Sequence, residues 1–458
     1  MAQMQEESGL AAERARRLFV DTPPLRLFLV AAVPGAASML VSALYNLADG
    51  IFVGQLLGQQ AFAAVNLAMP FVILNFAFGD MIGVGSSVPI SISMGRGDDE
   101  RANNIFSCSV LLNVLLGAVT GAALFLAAPA IMAAMGATGE LASMAVDFLR
   151  VYAAFSPITV GMFAVDNYLK ACGRIRSSLA LNVFMAVFGG VVEFSLMYFL
   201  HLGILGAALG YALAMAVCTV LALLPFALGR MQLRFVRPRL SWALVREIAA
   251  SGMPTFLNNV AGRVTSIALN AALLLLGGEY AVSAYGLLMY VDGFVFPLIY
   301  GVCDSLQPSV GYNWGARRQD RVVAIERCVF AACAAISLAS GVAMALLPRE
   351  LTLLFISDPA PELMALATVA FRVFAVSFTV RWFSFATQAL MTAIQMSKLA
   401  SLLSVCSALV FPLLELPLLW PLGLTGLWLN YPVMSFLSLV LSLWVLLAFR
   451  RELRLEAA

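Results

Sequence analysis

The chain has 458 residues, of which 62% are hydrophobic and 11% are charged, with a formal net charge of +2 at pH 7. A soluble domain carries about 25% charged residues, so this composition excludes an ordinary water-soluble protein. The arginines stand between long apolar runs and form no basic domain, so no nucleic-acid partner is expected. We expect an all-α polytopic membrane protein, because backbone polar groups in lipid must be satisfied within each helix.

The apolar segments predict twelve membrane-spanning helices. Residues 1–26 are polar, carry charges of both signs and precede a long apolar run, so they predict a tail and not a cleaved signal peptide. Each span is long enough to contain the roughly 20 residues that cross a bilayer. The spans are predicted near residues 27–54, 61–95, 103–130, 142–170, 177–200, 204–228, 247–276, 281–313, 323–347, 362–395, 399–420 and 424–449.

The basic residues predict the orientation of these spans. Most of the 27 Lys and Arg residues fall in connections on the side of the N-terminus, whereas Arg349 stands alone in a connection on the other side. The positive-inside rule then places both termini in the cytoplasm. We therefore expect a multi-pass protein of the plasma membrane, such as a bacterial inner membrane.

The two halves of the chain are similar at an offset of 220 residues, since Pro34 and Gly58 correspond to Pro254 and Gly278. Two facing six-helix bundles are an arrangement with which secondary transporters alternate access to a central site. A duplication that only enlarges the bundle is the alternative. The predicted domains are a cytoplasmic tail over 1–26, a six-helix lobe over 27–228, a basic cytoplasmic linker over 229–246, a second six-helix lobe over 247–449 and a cytoplasmic tail over 450–458.

Motifs for ATP hydrolysis or enzymatic chemistry do not stand out. A phosphate-binding loop requires G-x-x-x-x-G-K-[ST], and neither Lys170 nor Lys398 stands in that pattern. The single histidine, His201, and the seven cysteines show no metal-ligand spacing. We expect no enzyme, no cofactor, no resident metal and no ATPase subunit. The expected protein is a monomer that meets small organic substrates and lipid and uses H⁺ or Na⁺ as a coupling ion.

A polar stripe in the first span contains Ser42, Tyr45 and Asp49, with Asn46 beside it. Their spacing places the three stripe residues on one helical face. A carboxylate inside a bilayer costs roughly 2.5–3.5 kcal/mol, so this face is expected to point into the bundle or a wet cavity. The corresponding stripe of the seventh span contains Asn259, Arg263, Ser266 and Asn270.

A second carboxylate, Glu193, is expected at a similar depth. A rise of about 1.5 Å per residue places Asp49, Glu193 and Tyr211 roughly 8–12 Å below the same end of their spans. Two carboxylates shielded from water cannot both ionise cheaply, so one holds a proton or a cation lies between them. The predicted coupling-cation site contains Asp49, Glu193, Tyr211, Asn46 and Tyr45, with Na⁺ possible at Asp49 and Glu193. A buried pair that only orders the lobe is the alternative.

Further polar residues are expected to line a cavity or to pair within the second lobe. Arg263 and Asp292 fall near mid-membrane and could pair, as could Arg381 and Glu415. The complete set is Ser42, Asn182, Arg263, Ser266, Asn270, Asp292, Arg381 and Glu415.

Two other carboxylates, Asp80 and Asp166, are expected near helix ends. Such residues are usually solvated or cap a helix, and we assign them no function.

Several segments, in their order and spacing, resemble the MATE (multidrug and toxin extrusion) family and its DinF-like branch. The resemblance covers about residues 25–450 and implies a twelve-helix, two-lobed, V-shaped exporter that is driven by protons or sodium. The segments are YNLADGIFVGQLLG, GVGSSVPISISMGRGDDERA, NYLKACG and GILGAALG in the first half, and LQPSVGYNWGA and TQALMTAIQMSK in the second.

The resemblance also implies an ion site in the first lobe. The family's Asp in the first span matches Asp49, whereas its Asn and Asp in the fifth span fall at Gly189 and Glu193. Its Thr in the sixth span falls at Tyr211. These departures leave the ion open, and a proton is favoured because a carboxylate pair shares a proton without further oxygen ligands.

The leading interpretation is a cation-coupled antiporter that exports amphipathic, often cationic, organic compounds by alternating access. One alternative is a lipid-linked precursor flippase of the same superfamily, which would favour a more basic cavity. The other is a membrane sensor or scaffold that transports nothing.

Overall fold

A computed structural model describes residues 2–356 and 358–456 of the protein. Those residues are almost entirely helical, and the described part of the chain contains no strand. The outermost residues of the two predicted tails, residue 1 and residues 457–458, lie outside the described residues.

The first half of the chain contains six helices and one short π-helical turn over Arg17–Asp21. The helices are α1 (Ala2–Arg16), α2 (Pro24–Gly95), α3 (Asp99–Ala134), α4 (Gly139–Ala171), α5 (Ile175–Tyr198) and α6 (Gly203–Ala227).

The second half contains eight helices, with a π-helical turn over Cys406–Val410 and a 3₁₀ turn over Trp420–Leu422. The helices are α7 (Trp242–Gly315), α8 (Gln319–Leu346), α9 (Pro348–Phe355), α10 (Pro361–Phe378), α11 (Arg381–Ala393), α12 (Ser397–Val405), α13 (Phe411–Leu419) and α14 (Gly423–Glu456).

Within the described ranges, nine helical segments are long and apolar enough to cross a membrane, and three of these segments contain two spans each. Gly58 interrupts α2 with a φ of 85°, and Gly278 interrupts α7 with a φ of 64°. Gly423, with a φ of 60°, separates α13 from α14. The twelve predicted spans are thereby confirmed.

The tenth span differs from a continuous predicted helix, because it is broken between α10 and α11. Side chains donate hydrogen bonds to two backbone carbonyl groups at the break. Ser337 Oγ donates to the Phe378 carbonyl oxygen at 2.7 Å, and Trp382 Nε1 donates to the Thr379 carbonyl oxygen at 3.0 Å. Such internal partners are required for a broken helix at membrane depth. The break places Arg381 at the start of α11.

Helices α2–α6 form the first lobe and α7–α14 form the second. We call the end of the bundle that holds α1 the terminal end, and the end that holds Gly58 and Gly278 the opposite end. The segment between α6 and α7 lies along α3 at the terminal end. There the Arg234 N–H donates to Asn103 Oδ1 at 2.6 Å, and the Val236 N–H donates to Ser107 Oγ at 2.9 Å.

The two lobes contact each other closely toward the terminal end. A Cβ atom on Gly252 of α7 would lie 1.8 Å from the Met81 carbonyl oxygen of α2, so only glycine permits this approach. Asn313 Nδ2 donates to the Phe19 carbonyl oxygen at 3.0 Å, just before the first lobe begins. Arg101 of α3 forms an ion pair with Glu247 of α7 at 2.8 Å.

The lobes separate toward the opposite end. Among the described residues, every hydrogen bond and ion pair that joins the lobes involves helix ends or buried residues in the terminal half of the bundle. The protein is therefore closed at the terminal end and diverges from there, as the predicted V shape requires.

Candidate functional site

A buried cluster in the first lobe forms where α2, α5 and α6 meet. A Cβ atom on Gly210 of α6 would lie 2.4 Å from Glu193 Cα, so α6 packs directly against the backbone of α5. A Cβ atom on Gly189 would lie 3.5 Å from Tyr45 Cε2. The small residue at position 189 therefore leaves room for the Tyr45 ring beside α5.

The predicted residues Tyr45, Asp49 and Glu193 come together in this cluster. Tyr45 Oη donates a hydrogen bond to Glu193 Oε2 at 2.8 Å, and Glu193 is completely buried. The Asp49 carboxyl group lies near the Glu193 carboxyl group, and the hydrogen bond that Glu193 accepts among the described residues comes from Tyr45. Two neighbouring carboxyl groups that are shielded from water cannot both ionise cheaply, so the arrangement favours a form with less than two negative charges.

Aromatic rings enclose this pair on one side. The Tyr211 ring stacks on the Tyr45 ring with centroids 5.0 Å apart, and the Tyr152 ring lies 6.3 Å from the Tyr211 ring. Tyr211 therefore contacts the cluster through its ring, which packs against Tyr45. Tyr152 of α4 was missed, because an aromatic residue in an apolar run carries no signal of its own. Asn46 is exposed and makes no hydrogen bond with a described residue.

A cavity of about 380 Å³ lies between the two lobes and contains ionisable residues that the sequence did not assign to it. Asp80 and Asp166 line this interlobe cavity and cap no helix, and Asp166 is buried and paired, so its interpretation as a solvated or capping residue is wrong. Lys170 Nζ contacts Asp166 Oδ2 at 2.7 Å and also binds Asp304 of the second lobe. Asn182 Nδ2 donates to Asp166 Oδ1 at 2.9 Å. The Lys170 ammonium group therefore links the two lobes.

A second cavity of about 340 Å³ lies within the second lobe. The predicted pairing of its charges is wrong in both cases. Arg381 Nη1 binds Asp292 Oδ1 at 2.8 Å, because the break before α11 directs Arg381 toward α7. Arg263 is exposed to this cavity and forms no ion pair with a described residue. Glu415 is buried, and its carboxylate oxygens have no hydrogen-bond partner in the described part of the chain.

The remaining predicted polar residues lie nearby. Ser266 lines the second-lobe cavity, and Asn270 Nδ2 donates to the Ser266 carbonyl oxygen at 2.9 Å. Ser42 Oγ donates to the Ser38 carbonyl oxygen at 3.2 Å, so its hydroxyl group is used within α2. The two cavities are adjacent, because both are lined by Asn258, Asn259, Phe296, Phe385 and Gln388.

The residues in the ranges 2–356 and 358–456 contain no group of three or more His, Cys, Asp or Glu side chains that could bind a metal ion. What the arrangement offers is a pair of neighbouring carboxyl groups in one lobe and a cavity between two lobes. Twelve spans in two repeated lobes around such a cavity define the class of secondary transporters.

A family model described as MatE matches residues 34–195 and 254–416, once in each lobe. The chain therefore belongs to the MatE family. The members of this family are transporters, so the expectation that the protein is not an enzyme is confirmed.

Curated relatives match along nearly the whole chain. The multidrug export protein MepA of Staphylococcus haemolyticus is 24% identical over 96% of this chain and 97% of the relative. The MepA of Staphylococcus aureus strain N315 is 22% identical over 86% of this chain and 88% of the relative.

Solved structures establish the same fold. A MATE transporter in the bent conformation superposes with a TM-score of 0.90 at 23% identity and covers 97% of this chain and 99% of that structure. An outward-facing MATE family multidrug resistance transporter superposes with a TM-score of 0.89 at 23% identity. The match covers 95% of this chain and 98% of that structure. The predicted two-lobed MATE fold is confirmed, and the DinF-like branch stays a prediction.

Proposed function

We propose that the protein is a proton-coupled antiporter that exports amphipathic, often cationic, organic compounds across the plasma membrane. The observation that carries this proposal is the buried cluster of Asp49, Glu193 and Tyr45 in the first lobe. A carboxyl pair at this depth is stable only when a proton or a cation reduces its charge. Uptake and release of that ion can therefore be linked to the rocking of the lobes.

A proton fits the cluster better than sodium does. Tyr45 donates to Glu193 Oε2, and Glu193 Oε1 has no hydrogen-bond partner among the described residues. Position 189 is glycine and offers no side-chain oxygen to an alkali cation. The two carboxyl groups can nevertheless share a proton without further ligands.

The export of drug-like compounds is supported by the relatives and by the cavities. The curated relatives are described as multidrug export proteins. The interlobe cavity is lined by aromatic and apolar side chains together with a similar number of polar and charged ones. Sites for small organic molecules combine apolar surface with polar groups that fix the orientation of the ligand. Closure at the terminal end, with both termini in the cytoplasm, corresponds to an outward-facing state of an exporter.

Transport by purified protein in liposomes tests the proposal. A pH gradient without sodium is expected to drive uphill movement of ethidium, and a sodium gradient at uniform pH is expected to drive none. An absolute requirement for sodium would replace the proton by Na⁺. If neither gradient moves ethidium or any other organic cation, the protein is not this antiporter. Flip of a lipid-linked precursor in the same liposomes would instead support the flippase.

The orientation is tested separately by reporter fusions. Fusions at Gln59, in the first connection of the opposite end, and at Gln232, in the segment between α6 and α7, are expected to report opposite sides of the membrane. Gln232 is expected to report the cytoplasm, because the basic residues cluster on that side. A cytoplasmic signal at Gln59 would reverse the proposed orientation.

A further inference from the structure

One carboxylate in the interlobe cavity has no partner. Asp80 of α2 lines the cavity but forms no hydrogen bond and no ion pair with any residue in the described ranges. The other two carboxylates, Asp166 and Asp304, both bind Lys170. One ammonium group balances only one negative charge, so the ionised cavity keeps an excess of negative charge. A bound cation can best compensate that charge at Asp80, because no side chain in the described ranges pairs with its carboxylate.

Aromatic side chains from both lobes line the same cavity. In the first lobe, the Phe76 and Phe163 rings contact each other with centroids 5.3 Å apart. In the second lobe, the Phe296 and Phe385 rings lie 4.9 Å apart, and the Tyr300 ring lies 6.1 Å from Phe385. The faces of aromatic rings attract organic cations, and their apolar surface binds hydrocarbon groups. All five residues line the interlobe cavity.

We propose that Asp80 binds the positively charged group of the exported organic cation, while the two aromatic clusters hold its apolar part. This inference rests on the proposed function and assigns a substrate-binding carboxylate to it. A cavity of about 380 Å³ has the volume of a site for a small organic molecule. Because the two clusters belong to different lobes, the site is complete only when the lobes meet at the terminal end.

Asp80 is distinct from the proposed coupling residues. It lies on the span of α2 that follows the break at Gly58, whereas Asp49 lies on the span that precedes it. Asp80 lines the cavity between the lobes, and Asp49 belongs to the cluster inside the first lobe. Substrate binding and ion coupling are therefore carried by different carboxylates and can be measured separately.

Equilibrium binding to the purified full-length protein tests the assignment. The probes are tetraphenylphosphonium, a permanent cation, and triphenylphosphine oxide, a neutral molecule with the same aryl groups. We expect Asp80→Asn to weaken tetraphenylphosphonium binding by roughly tenfold or more and to change triphenylphosphine oxide binding by less than about twofold. Asp80→Glu keeps the charge and is expected to retain most of the affinity for the cation.

The control variant is Asp320→Asn, which removes one carboxylate from the exposed start of α8 and is expected to change neither affinity. Unchanged tetraphenylphosphonium binding by Asp80→Asn would overturn the inference, as would an equal loss for both probes, which indicates a structural role. A thermal unfolding temperature near that of the unaltered protein is required of each variant. If the unaltered protein binds neither probe, the proposed function itself fails.

Discussion

At the scale of single residues, burying the Asp49 carboxylate in the membrane costs free energy that its neighbours must offset. A lone carboxylate at membrane depth costs roughly 2.5–3.5 kcal/mol, and a second carboxylate beside it raises the cost if both are ionised. The hydrogen bond from Tyr45 stabilises one charge on Glu193, and a proton or cation must offset the other. In the proposed antiporter, this cluster is expected to be stable with a bound ion and less stable without one, which is the property that coupling needs.

The first prediction concerns this pair. Asp49→Asn keeps the size and hydrogen-bonding capacity of the side chain but cannot take up or release a proton. We expect uphill efflux driven by a pH gradient to fall to background, while expression and thermal stability stay close to those of the unaltered protein. Efflux from liposomes and thermal unfolding in detergent are the measurements.

Glu193→Gln is the matched variant in the same cluster. Because the two carboxyl groups titrate as a unit, it is expected to weaken efflux or to change its pH optimum. Normal uphill efflux by Asp49→Asn would contradict the coupling assignment. A loss of stability in proportion to the loss of transport would instead favour a pair that only orders the lobe.

At the scale of elements, the two longest helices each contain one glycine break at the equivalent position of the repeat. Gly58 has a φ of 85° and a ψ of −179°, a conformation that is open almost only to glycine. Nothing lies within 4 Å of a Cβ atom built there, so the requirement comes from the backbone and not from crowding. The break lets the first two spans leave the opposite end in different directions.

The second prediction follows from that backbone conformation. Gly58→Ala is expected to destabilise the protein by about 1–3 kcal/mol, because an L-residue is strained there. Gly286→Ala is the matched control, since Gly286 is helical and a Cβ atom built there also meets nothing within 4 Å. The control is expected to be neutral or stabilising by up to about 1 kcal/mol. Thermal unfolding of both variants in detergent measures the effect, and equal unfolding temperatures would contradict it.

At the scale of the whole molecule, a buried ammonium group joins the lobes. Lys170 is 2% exposed and binds Asp166 of its own helix and Asp304 of the second lobe. Opening the terminal end must separate Lys170 from Asp304 but leaves it paired with Asp166. The contact therefore stabilises the closed terminal end relative to the open one.

The third prediction concerns that balance. A hydrogen bond to a charged group contributes about 1.5–3 kcal/mol, so Asp304→Asn is expected to lower the ratio of closed to open terminal ends roughly tenfold or more. Arg174 of the first lobe and Arg318 of the second are both exposed at that end. Spin labels at these two positions, in a background without native cysteines, measure the distribution of distances between the lobes. The population at the shorter distance is expected to fall.

Asp292→Asn is the control for this measurement. It breaks an ion pair of the same kind, with Arg381, that lies within one lobe. The distance distribution between the lobes should therefore keep its shape. An identical response of Asp292→Asn and Asp304→Asn, or no response of Asp304→Asn, would show that the Lys170 contact does not hold the lobes together.

The sequence alone determined the number of spans and the duplication. Apolar length and the spacing of charges are local properties, and bilayer thickness converts them directly into helices. It also placed Asp49 and Glu193 at a similar depth, because helical rise gives the depth of a residue along its own span.

Only the tertiary structure decided which side chains meet across spans. Depth says nothing about the rotation of one helix against another, so the predicted pairs of Arg263 with Asp292 and of Arg381 with Glu415 were wrong. The break before α11, which no pattern indicated, directs Arg381 to Asp292. Lys170 and Asp304 stand 134 positions apart, and their contact exists because two glycine-lined helices let the lobes approach.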